Sequence, residues 1–276
     1  MLELPEVVSR ARELNAALAG KVVSEVLPPS SPHKFCWFSG SAEDYHARFA
    51  GQTFQGAEGF GIFVELAFSG GARLCVNDGV NLRFLEPDEK RPAKYQMMMN
   101  FLGGASLVFT VAMYGGIYAH DGGLDSEYYL ASRARVSPLS DAFTPGYFHD
   151  LISSVKPTAS VKALLATQQH IPGLGNGVLQ DILLAARIHP KRKIASLTPA
   201  EITALYEAVR AVLREMTQRG GRDTERTLFG QPGGYKTRMC KDTLKTGCPV
   251  CGGPVTKESY MGGAVYACAA CQPLKQ

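Results

Sequence analysis

Four cysteines close to the C-terminus have the spacing of a metal site. They form two Cys-x₂-Cys knuckles, and sixteen residues lie between the knuckles. Four thiolates at this spacing are typical of a closed, tetrahedral zinc site, in which the metal is structural. The intervening residues are long enough for a β-hairpin. Two structural or redox thiol pairs are the alternative, but we predict one structural Zn²⁺. Its predicted ligands are Cys248, Cys251, Cys268 and Cys271.

A glycine-rich turn, Ile171-Pro-Gly-Leu-Gly-Asn-Gly177, lies between two predicted helices. Glycine lets a backbone approach a ligand closely, and the free amides at a helix N-terminus attract phosphate. Gly175 and Asn176 stand at this N-terminus, and Lys162 on the preceding helix adds a positive charge. The turn therefore indicates a phosphate site. An ordinary corner between two helices is the alternative, because short glycine motifs are not specific.

Positive charge is concentrated in the last quarter of the chain. The formal charge of the whole chain is +4, and residues 220–276 hold eight Lys or Arg against four acids. A basic segment beside a zinc hairpin favours a polyanionic partner, most simply nucleic acid. Arg222 follows the longest predicted helix, and Lys236 follows Tyr235 in a glycine-rich stretch that we expect to be mobile. Arg222 is a candidate contact to a phosphate, and a helix C-cap with a polar loop is its alternative role. A solvated polar face is the alternative explanation of the charge.

The hydrophobic periodicity changes along the chain. Residues 4–18 carry an apolar stripe at helical spacing, with Pro5 in the first turn. From residue 21 to about 133, short β-rich runs are separated by Gly, Asp and Asn, which predicts an antiparallel sandwich or barrel. Helices follow, predicted at 160–169, 178–186 and 199–219, and Thr198 with Glu201 forms a capping box for the last. The fold class is therefore α+β.

These patterns divide the chain into four parts. We predict an N-terminal helix and β-sandwich domain over 1–133 and a Pro- and Ser-rich linker over 134–150. A helical domain that contains the glycine-rich turn follows over 151–235, and a zinc finger over 236–276.

Composition limits the compartment. No apolar run approaches membrane-spanning length, and the N-terminus lacks the basic-then-apolar pattern of a secretion signal. Seven cysteines are then expected to be four metal ligands and three reduced thiols. We expect a monomeric cytoplasmic protein, associated with the nucleoid and neither secreted nor membrane-bound.

Taken together and in this order, the motifs resemble those of the formamidopyrimidine-DNA glycosylase and endonuclease VIII family. The resemblance runs from the Glu-Leu-Pro-Glu helix at Glu3 through the Ile-Pro-Gly-Leu-Gly-Asn-Gly turn and Ile-His-Pro to the final Cys-x₂-Cys-Gln. It implies a helix–two-turn–helix domain and an enzyme that grips kinked DNA containing a damaged base or abasic site. It also implies that Lys162 and Asn176 bind the phosphates that flank a flipped nucleotide, and that the zinc hairpin contacts the DNA backbone. Loops near Tyr235 and Lys236 can close on the flipped base in this family, so the resemblance makes Lys236 a candidate DNA contact.

The chain departs from the family pattern where the covalent chemistry begins. The family's nucleophile is a proline exposed by removal of Met1, but position 2 here is Leu2. The family's catalytic lysine aligns with Phe60. The arginine of the family's zinc hairpin aligns with Ala264. The family's void-filling Met, Arg and Phe align with Asp78, Tyr114 and Gly115. Tyr114 is therefore a candidate stacking wedge, and Asp78-Gly79 is alternatively a turn signature.

Glu3 matches the family's glutamate beside the nucleophile, so the resemblance implies a catalytic carboxylate there. A carboxylate can activate water or stabilise positive charge on the sugar. Helix N-terminal electrostatics is the alternative role. We therefore hypothesise a monofunctional glycosylase that hydrolytically removes alkylated purines such as 3-methyladenine and 7-methylguanine. A bifunctional oxidised-base glycosylase with lyase activity and a non-catalytic damaged-DNA-binding protein are the alternatives.

Overall fold

The structure, a computed structural model, describes residues 1–274; the last two residues of the predicted zinc finger segment, 275–276, lie outside the described residues. Helix α1 spans Leu4–Leu18, as its apolar stripe predicts, and its side chains Val7, Leu14 and Leu18 are fully buried. The helix lies so close to the sandwich that a Cβ on Gly59 would be 2.3 Å from the carbonyl oxygen of Val7.

Nine strands form a sandwich of two sheets. One sheet has the order β1-β7-β8-β6, and the other has the order β2-β9-β5-β4-β3. All neighbours are antiparallel except β2 and β9, which are parallel. The strands are β1 Val23–Leu27, β2 Cys36–Phe38, β3 Phe54–Phe60, β4 Phe63–Phe68, β5 Arg73–Asn77, β6 Val80–Leu85, β7 Met97–Phe101, β8 Ser106–Val111 and β9 Gly115–His120.

Alternate side chains of each strand enter the space between the sheets. On β8, Leu107 and Phe109 belong to the main core, whereas Val108 packs in a small cluster on the outer face. Strand β5 alternates in the same way, with Leu74 and Val76 inside and Cys75 outside. This period of two follows from the geometry of a strand, in which successive side chains point to opposite faces of the sheet. Two short helices pack around the sandwich, α2 Tyr45–Phe49 and α3 Glu127–Ala134.

Two corners carry the chain from one sheet to the other. Asp78-Gly79 joins β5 to β6, and residues 112–114 join β8 to β9. The Gly79 amide donates to the Tyr114 carbonyl at 2.9 Å, and the Ala112 amide donates to the Gly79 carbonyl at 3.1 Å. The corners therefore form one hydrogen-bonded unit, which projects Met113 and Tyr114 from the sandwich.

The second half of the described chain is mainly helical. Helix α7 begins with the predicted capping box, in which Thr198 and Glu201 exchange side-chain and backbone hydrogen bonds. Helix α5 is shorter than predicted: it ends at Ala166, because Thr167 has an extended backbone (φ −127°, ψ 159°), and Gln168 and Gln169 then adopt left-handed angles (φ 53° and 50°). The helices are α4 Pro145–Ser153, α5 Val161–Ala166, α6 Asn176–Ala186, α7 Pro199–Gln218 and α8 Thr243–Thr246.

A two-stranded antiparallel hairpin follows, with β10 at Thr256–Tyr260 and β11 at Gly263–Ala267. The four cysteines lie at its base, so the predicted α+β fold with a zinc-finger-like hairpin is confirmed. Helix α4 begins inside the segment 134–150, and the division of the chain into four parts stays a prediction. Of the helices described, none is both long and apolar enough to cross a membrane.

The sandwich core gives a direct test of this packing. Phe109→Ala should lower the free energy of unfolding by about 3–5 kcal/mol, because Phe109 is fully buried between the sheets and its removal leaves a cavity. The matched control is Leu102→Ala at an exposed turn, which should change it by less than about 0.5 kcal/mol. Urea denaturation measures both; equal effects would contradict the packing described.

Candidate active site and nucleic-acid cleft

A cleft of about 760 Å³ lies between the sandwich and the helical half of the chain. Its lining joins elements that are far apart in sequence: the chain start, the sheet-switching corners, the glycine-rich turn and the tip of the hairpin. Its lining includes Met1, Leu2, Glu3, Asp78, Tyr114, Tyr118, Tyr128, Lys162, Gly175, Asn176, Gly177, Arg222, Glu225 and Gly263.

Glu3 is held at the N-terminus of helix α6. Its Oε1 accepts a hydrogen bond from the Gly177 amide and its Oε2 accepts one from the Val178 amide, both at 2.8 Å. These amides have no partner within the helix, and the helix dipole favours negative charge there. Burial raises the pKa of Glu3, while Arg222 and the two amides oppose that rise. The carboxylate is therefore fixed in position inside the cleft.

Arg222 stabilises the carboxylates of Glu3 and Glu6. Its guanidinium donates to both oxygens of Glu6, from Nε at 3.0 Å and from Nη2 at 2.8 Å, and its Nη1 lies 3.7 Å from Glu3 Oε1. Although burial opposes the charge, these carboxylates raise the pKa of Arg222 above its ordinary value. Arg222 is thus a buried partner of two glutamates that also lines the cleft, and its predicted contact with DNA stays a prediction.

The glycine-rich turn is required by these two side chains. A Cβ on Gly177 would lie 1.5 Å from Arg222 Nη1 and 2.9 Å from Glu3 Oε1. A Cβ on Gly175 would lie 2.7 Å from the Glu3 carboxyl carbon. The glycines therefore make room for a carboxylate and a guanidinium of this chain, in addition to any ligand that approaches the turn.

Lys162 and Asn176 form a pair that is tied to the hairpin. Lys162 Nζ donates to Asn176 Oδ1 at 2.8 Å and to the Tyr260 carbonyl at 2.6 Å. Asn176 Nδ2 donates to the Ala264 carbonyl at 2.8 Å. A Cβ on Gly263 would lie 3.0 Å from Asn176 Cγ, so the hairpin tip packs directly on this pair. Burial lowers the pKa of Lys162.

The remaining predicted contacts lie in different places. Tyr114 is partly exposed at the cleft rim, with its ring 6.4 Å from that of Trp37. Lys236 is exposed and lines a separate groove near the cysteines instead of the cleft. Tyr235 is not mobile at the surface as expected, since it is buried and its hydroxyl donates to Asp181 at 3.0 Å.

The chain start offers no secondary amine to the cleft. Leu2 is buried, and its amide donates to the Asp78 carbonyl at 2.8 Å. The Met1 ammonium pairs with Glu225 at 3.0 Å. Phe60, at the family's lysine position, is buried beneath the guanidinium of Arg133, which lies 3.5 Å from its ring. Within residues 1–274, the amino groups that line the cleft belong to Met1 and Lys162, and both are hydrogen-bonded.

The four cysteines are positioned to bind a metal ion. Their sulfur atoms all lie within 4.8 Å of one another, with Cys248–Cys271 at 3.9 Å and Cys251–Cys268 at 3.6 Å. A tetrahedral zinc site with Zn–S bonds of about 2.3 Å has sulfur–sulfur edges of about 3.8 Å, so the arrangement fits zinc.

A second group of potential ligands, Glu65, Cys75 and His120, also clusters within 4.8 Å. Its carboxylate is already bonded to His120 at 3.1 Å, to the Tyr129 hydroxyl at 2.7 Å and to Arg133 at 2.7 Å. Although burial opposes it, these hydrogen bonds lower the pKa of Glu65 to about 2. Because donors occupy both oxygens, the group is a satisfied polar cluster under helix α3.

Comparison with known proteins identifies the family. Residues 135–227 match the formamidopyrimidine-DNA glycosylase H2TH (helix–two-turn–helix) domain. Formamidopyrimidine-DNA glycosylase of Thermus thermophilus is 32% identical over 282 residues, which cover 99% of this chain and 98% of the relative. The chain belongs to the formamidopyrimidine-DNA glycosylase family. The enzyme of Symbiobacterium thermophilum is 29% identical, covering 100% of this chain and 90% of the relative.

Solved structures agree with this assignment. The Thermus thermophilus MutM (Fpg) protein has a TM-score of 0.80 at 28% identity, covering 99% of this chain and 100% of that chain. Lactococcus lactis Fpg in complex with DNA that contains an abasic site has a TM-score of 0.82 at 22% identity, covering 98% and 99%. The predicted family is confirmed, and with it a DNA glycosylase of base-excision repair.

The contact between glycine and guanidinium gives a test of the site. Gly177→Ala should lower the free energy of unfolding by about 1–3 kcal/mol, because the new Cβ displaces Arg222 and, with it, Glu3. Gly146→Ala is the matched control: Gly146 also lies in the first turn of a helix, and its Cβ would meet only Thr144 Oγ1, at 3.8 Å. That change should be neutral or stabilise by up to about 1 kcal/mol. Calorimetry measures both, and a neutral Gly177→Ala would contradict the geometry.

Proposed function

We propose that this protein removes a damaged base from DNA by hydrolysis and does not cleave the strand. The composition of the cleft supports this proposal. The cleft contains a carboxylate fixed at a helix N-terminus, and no residue in 1–274 contributes an unpaired amino group to its lining. Base removal by water needs no amine, whereas strand cleavage by β-elimination begins with a Schiff base to one.

In the proposed complex, damaged or abasic double-stranded DNA lies across the cleft. Lys162, Asn176 and the backbone at Gly175 bind the phosphates that flank an extruded nucleotide, since they combine positive charge, an amide donor and close backbone approach. Extrusion is required because the glycosidic carbon is inaccessible in a stacked duplex. Tyr114 occupies the vacated space from the rim, and exposed Lys236 contacts the flanking backbone.

Glu3 directs the chemistry in this proposal. A water oxygen bonds to the anomeric carbon, the bond to the base nitrogen breaks with its electron pair going to the base, and Glu3 receives a proton from the water. A raised pKa makes the carboxylate a stronger base, and its negative charge stabilises the cationic sugar. Arg222 is a positioning residue in this proposal, because it holds Glu6 and its Nη1 lies 3.7 Å from Glu3 Oε1.

The proposed substrates are alkylated purines, such as 3-methyladenine and 7-methylguanine. These bases carry a positive charge and leave as neutral molecules, so their glycosidic bonds need little acid catalysis. A bifunctional glycosylase of oxidised purines is the second candidate, because the relatives carry the name formamidopyrimidine-DNA glycosylase. Its lyase step would require a free amine, whereas the N-terminal amino group of Met1 is an ammonium group that pairs with Glu225.

We further propose that the bound metal is Zn²⁺ and that it acts through the hairpin. The metal would hold the four thiolates at the hairpin base, while the hairpin tip accepts hydrogen bonds from Lys162 and Asn176. Metal binding would thereby stabilise the phosphate-binding pair. We propose a monomer that acts at the nucleoid in the cytoplasm.

The catalytic role of Glu3 is tested by Glu3→Gln. Excision of 7-methylguanine or 3-methyladenine should fall by about 10²-fold or more, because the general base and the negative charge are both lost. Exposed Glu207→Gln is the control and should retain activity. Single-turnover assays should show strand breaks only after alkali, and borohydride should trap no protein–DNA adduct. An adduct, or full activity of Glu3→Gln with unchanged folding, would refute the proposal.

The metal is tested by chelation. Removal of zinc from the purified protein should release one Zn²⁺ per chain. Binding to an abasic-site duplex should weaken by about tenfold or more, because the metal no longer holds the four cysteines at the base of the hairpin together. Cys36→Ser, which changes a cysteine outside the cluster, should leave metal content and binding intact. Atomic emission and fluorescence anisotropy provide the measurements. Undiminished binding by the metal-free protein would contradict the role of the hairpin.

A further inference from the structure

Asp78 differs from the other charged groups that line the cleft. Glu3 is bonded to two amides, Glu225 to the Met1 ammonium, and Arg222 to Glu6. The Asp78 carboxylate is half-buried in the same cleft, yet no hydrogen bond or ion pair reaches it from any residue in 1–274. A partly buried carboxylate that no described group pairs is available to accept hydrogen bonds from a ligand in the cleft.

The surroundings of Asp78 define the chemistry of that ligand. Burial raises the pKa of Asp78, and the Met1 ammonium, already held by Glu225, only partly opposes this. Burial and the nearby Asp78 charge both raise the pKa of Tyr114 and Tyr118, whose side chains line the same wall. A negative charge near the electron-rich ring of Tyr118 suits a flat, positively charged group, while Tyr114 at the rim is left to fill the vacated space.

We propose that Asp78 recognises the positive charge of an extruded N-alkylated purine, with Tyr118 supplying a ring contact. This proposal rests on the proposed function, because it names the substrate class that the hydrolytic site accepts. An ionised carboxylate attracts the cationic base and accepts hydrogen bonds from it, whereas an undamaged neutral purine gains less from the same charge. Asp78 thereby selects cationic lesions before Glu3 directs hydrolysis.

A purely structural role of Asp78 can be separated from this one. The residue has a left-handed backbone angle (φ 53°) in the corner between β5 and β6, and its carbonyl accepts the Leu2 amide. Asparagine tolerates the same backbone angle and keeps the carbonyl, so Asp78→Asn removes the charge and preserves the corner. Exposed Asp88→Asn, for which no ion pair is described within residues 1–274, is the matched change of charge elsewhere.

The test is binding, so that it does not depend on excision. Affinities are measured for two otherwise identical duplexes, one with a 2′-fluorinated 7-methylguanine nucleotide, which is cationic and resists depurination, and one with a neutral tetrahydrofuran abasic site. Asp78→Asn should weaken binding of the cationic duplex by about 10- to 100-fold, as expected for a hydrogen bond to a charged group, and alter the neutral one by less than about threefold. Asp88→Asn should change neither.

Equal weakening of both duplexes by Asp78→Asn would show a structural or backbone-binding role and overturn the proposal. Unchanged affinity for the cationic duplex would overturn it as well. Failure of the proposed function gives a different result: the wild-type protein would bind the cationic duplex in preference but release no base from natural alkylated DNA, or would form a borohydride-reducible adduct.

Discussion

The site depends on one interaction, the capping of helix α6 by the carboxylate of Glu3. Two helix amides at 2.8 Å hold the carboxylate, and Arg222 holds the chain start through Glu6. This network joins the first residues of the chain, the helix–two-turn–helix turn and the segment after α7, which come from both sides of the cleft. A carboxylate at the start of the chain is thereby placed as firmly as one within a helix.

The same network explains why the turn contains glycine at particular positions. Gly175 and Gly177 leave the space that Glu3 and Arg222 occupy, so the motif accommodates two side chains of the chain itself. Asn176 at the start of helix α6 and Lys162 of helix α5 donate hydrogen bonds to the hairpin. Glu3, the Lys162–Asn176 pair and the hairpin are therefore coupled through one helix N-terminus. The corner that carries Asp78 completes the cleft wall from the sandwich.

Local patterns predicted the local features well. The extent of α1, the capping box of α7 and the clustering of the cysteines each depend on neighbouring residues or on a known spacing. The pairing of Glu6 with Arg222 joins residues 216 positions apart, so no periodicity could indicate it. The sequence therefore indicated only the charge of Arg222 and not its partners. The early end of α5 follows from an extended Thr167 and from left-handed angles at the two glutamines after it, residues with no strong preference for these conformations. Tyr118 and Tyr128 of the cleft wall were likewise missed, since an aromatic residue in a strand or helix is usually part of the core.

The central claim is that water, directed by Glu3, attacks the sugar without a covalent enzyme intermediate. Methanol can take the place of water in attacking a cationic sugar, and the product is then a methyl glycoside. A mechanism that passes through a Schiff base to an enzyme amine leads instead to β-elimination and a cleaved strand. Mass spectrometry of the DNA product formed in a water–methanol mixture is therefore the most direct measurement. The account predicts an intact strand that carries a methyl glycoside at the former lesion, in proportion to the methanol present. A cleaved strand with an unsaturated sugar end, and no methyl glycoside, would contradict it.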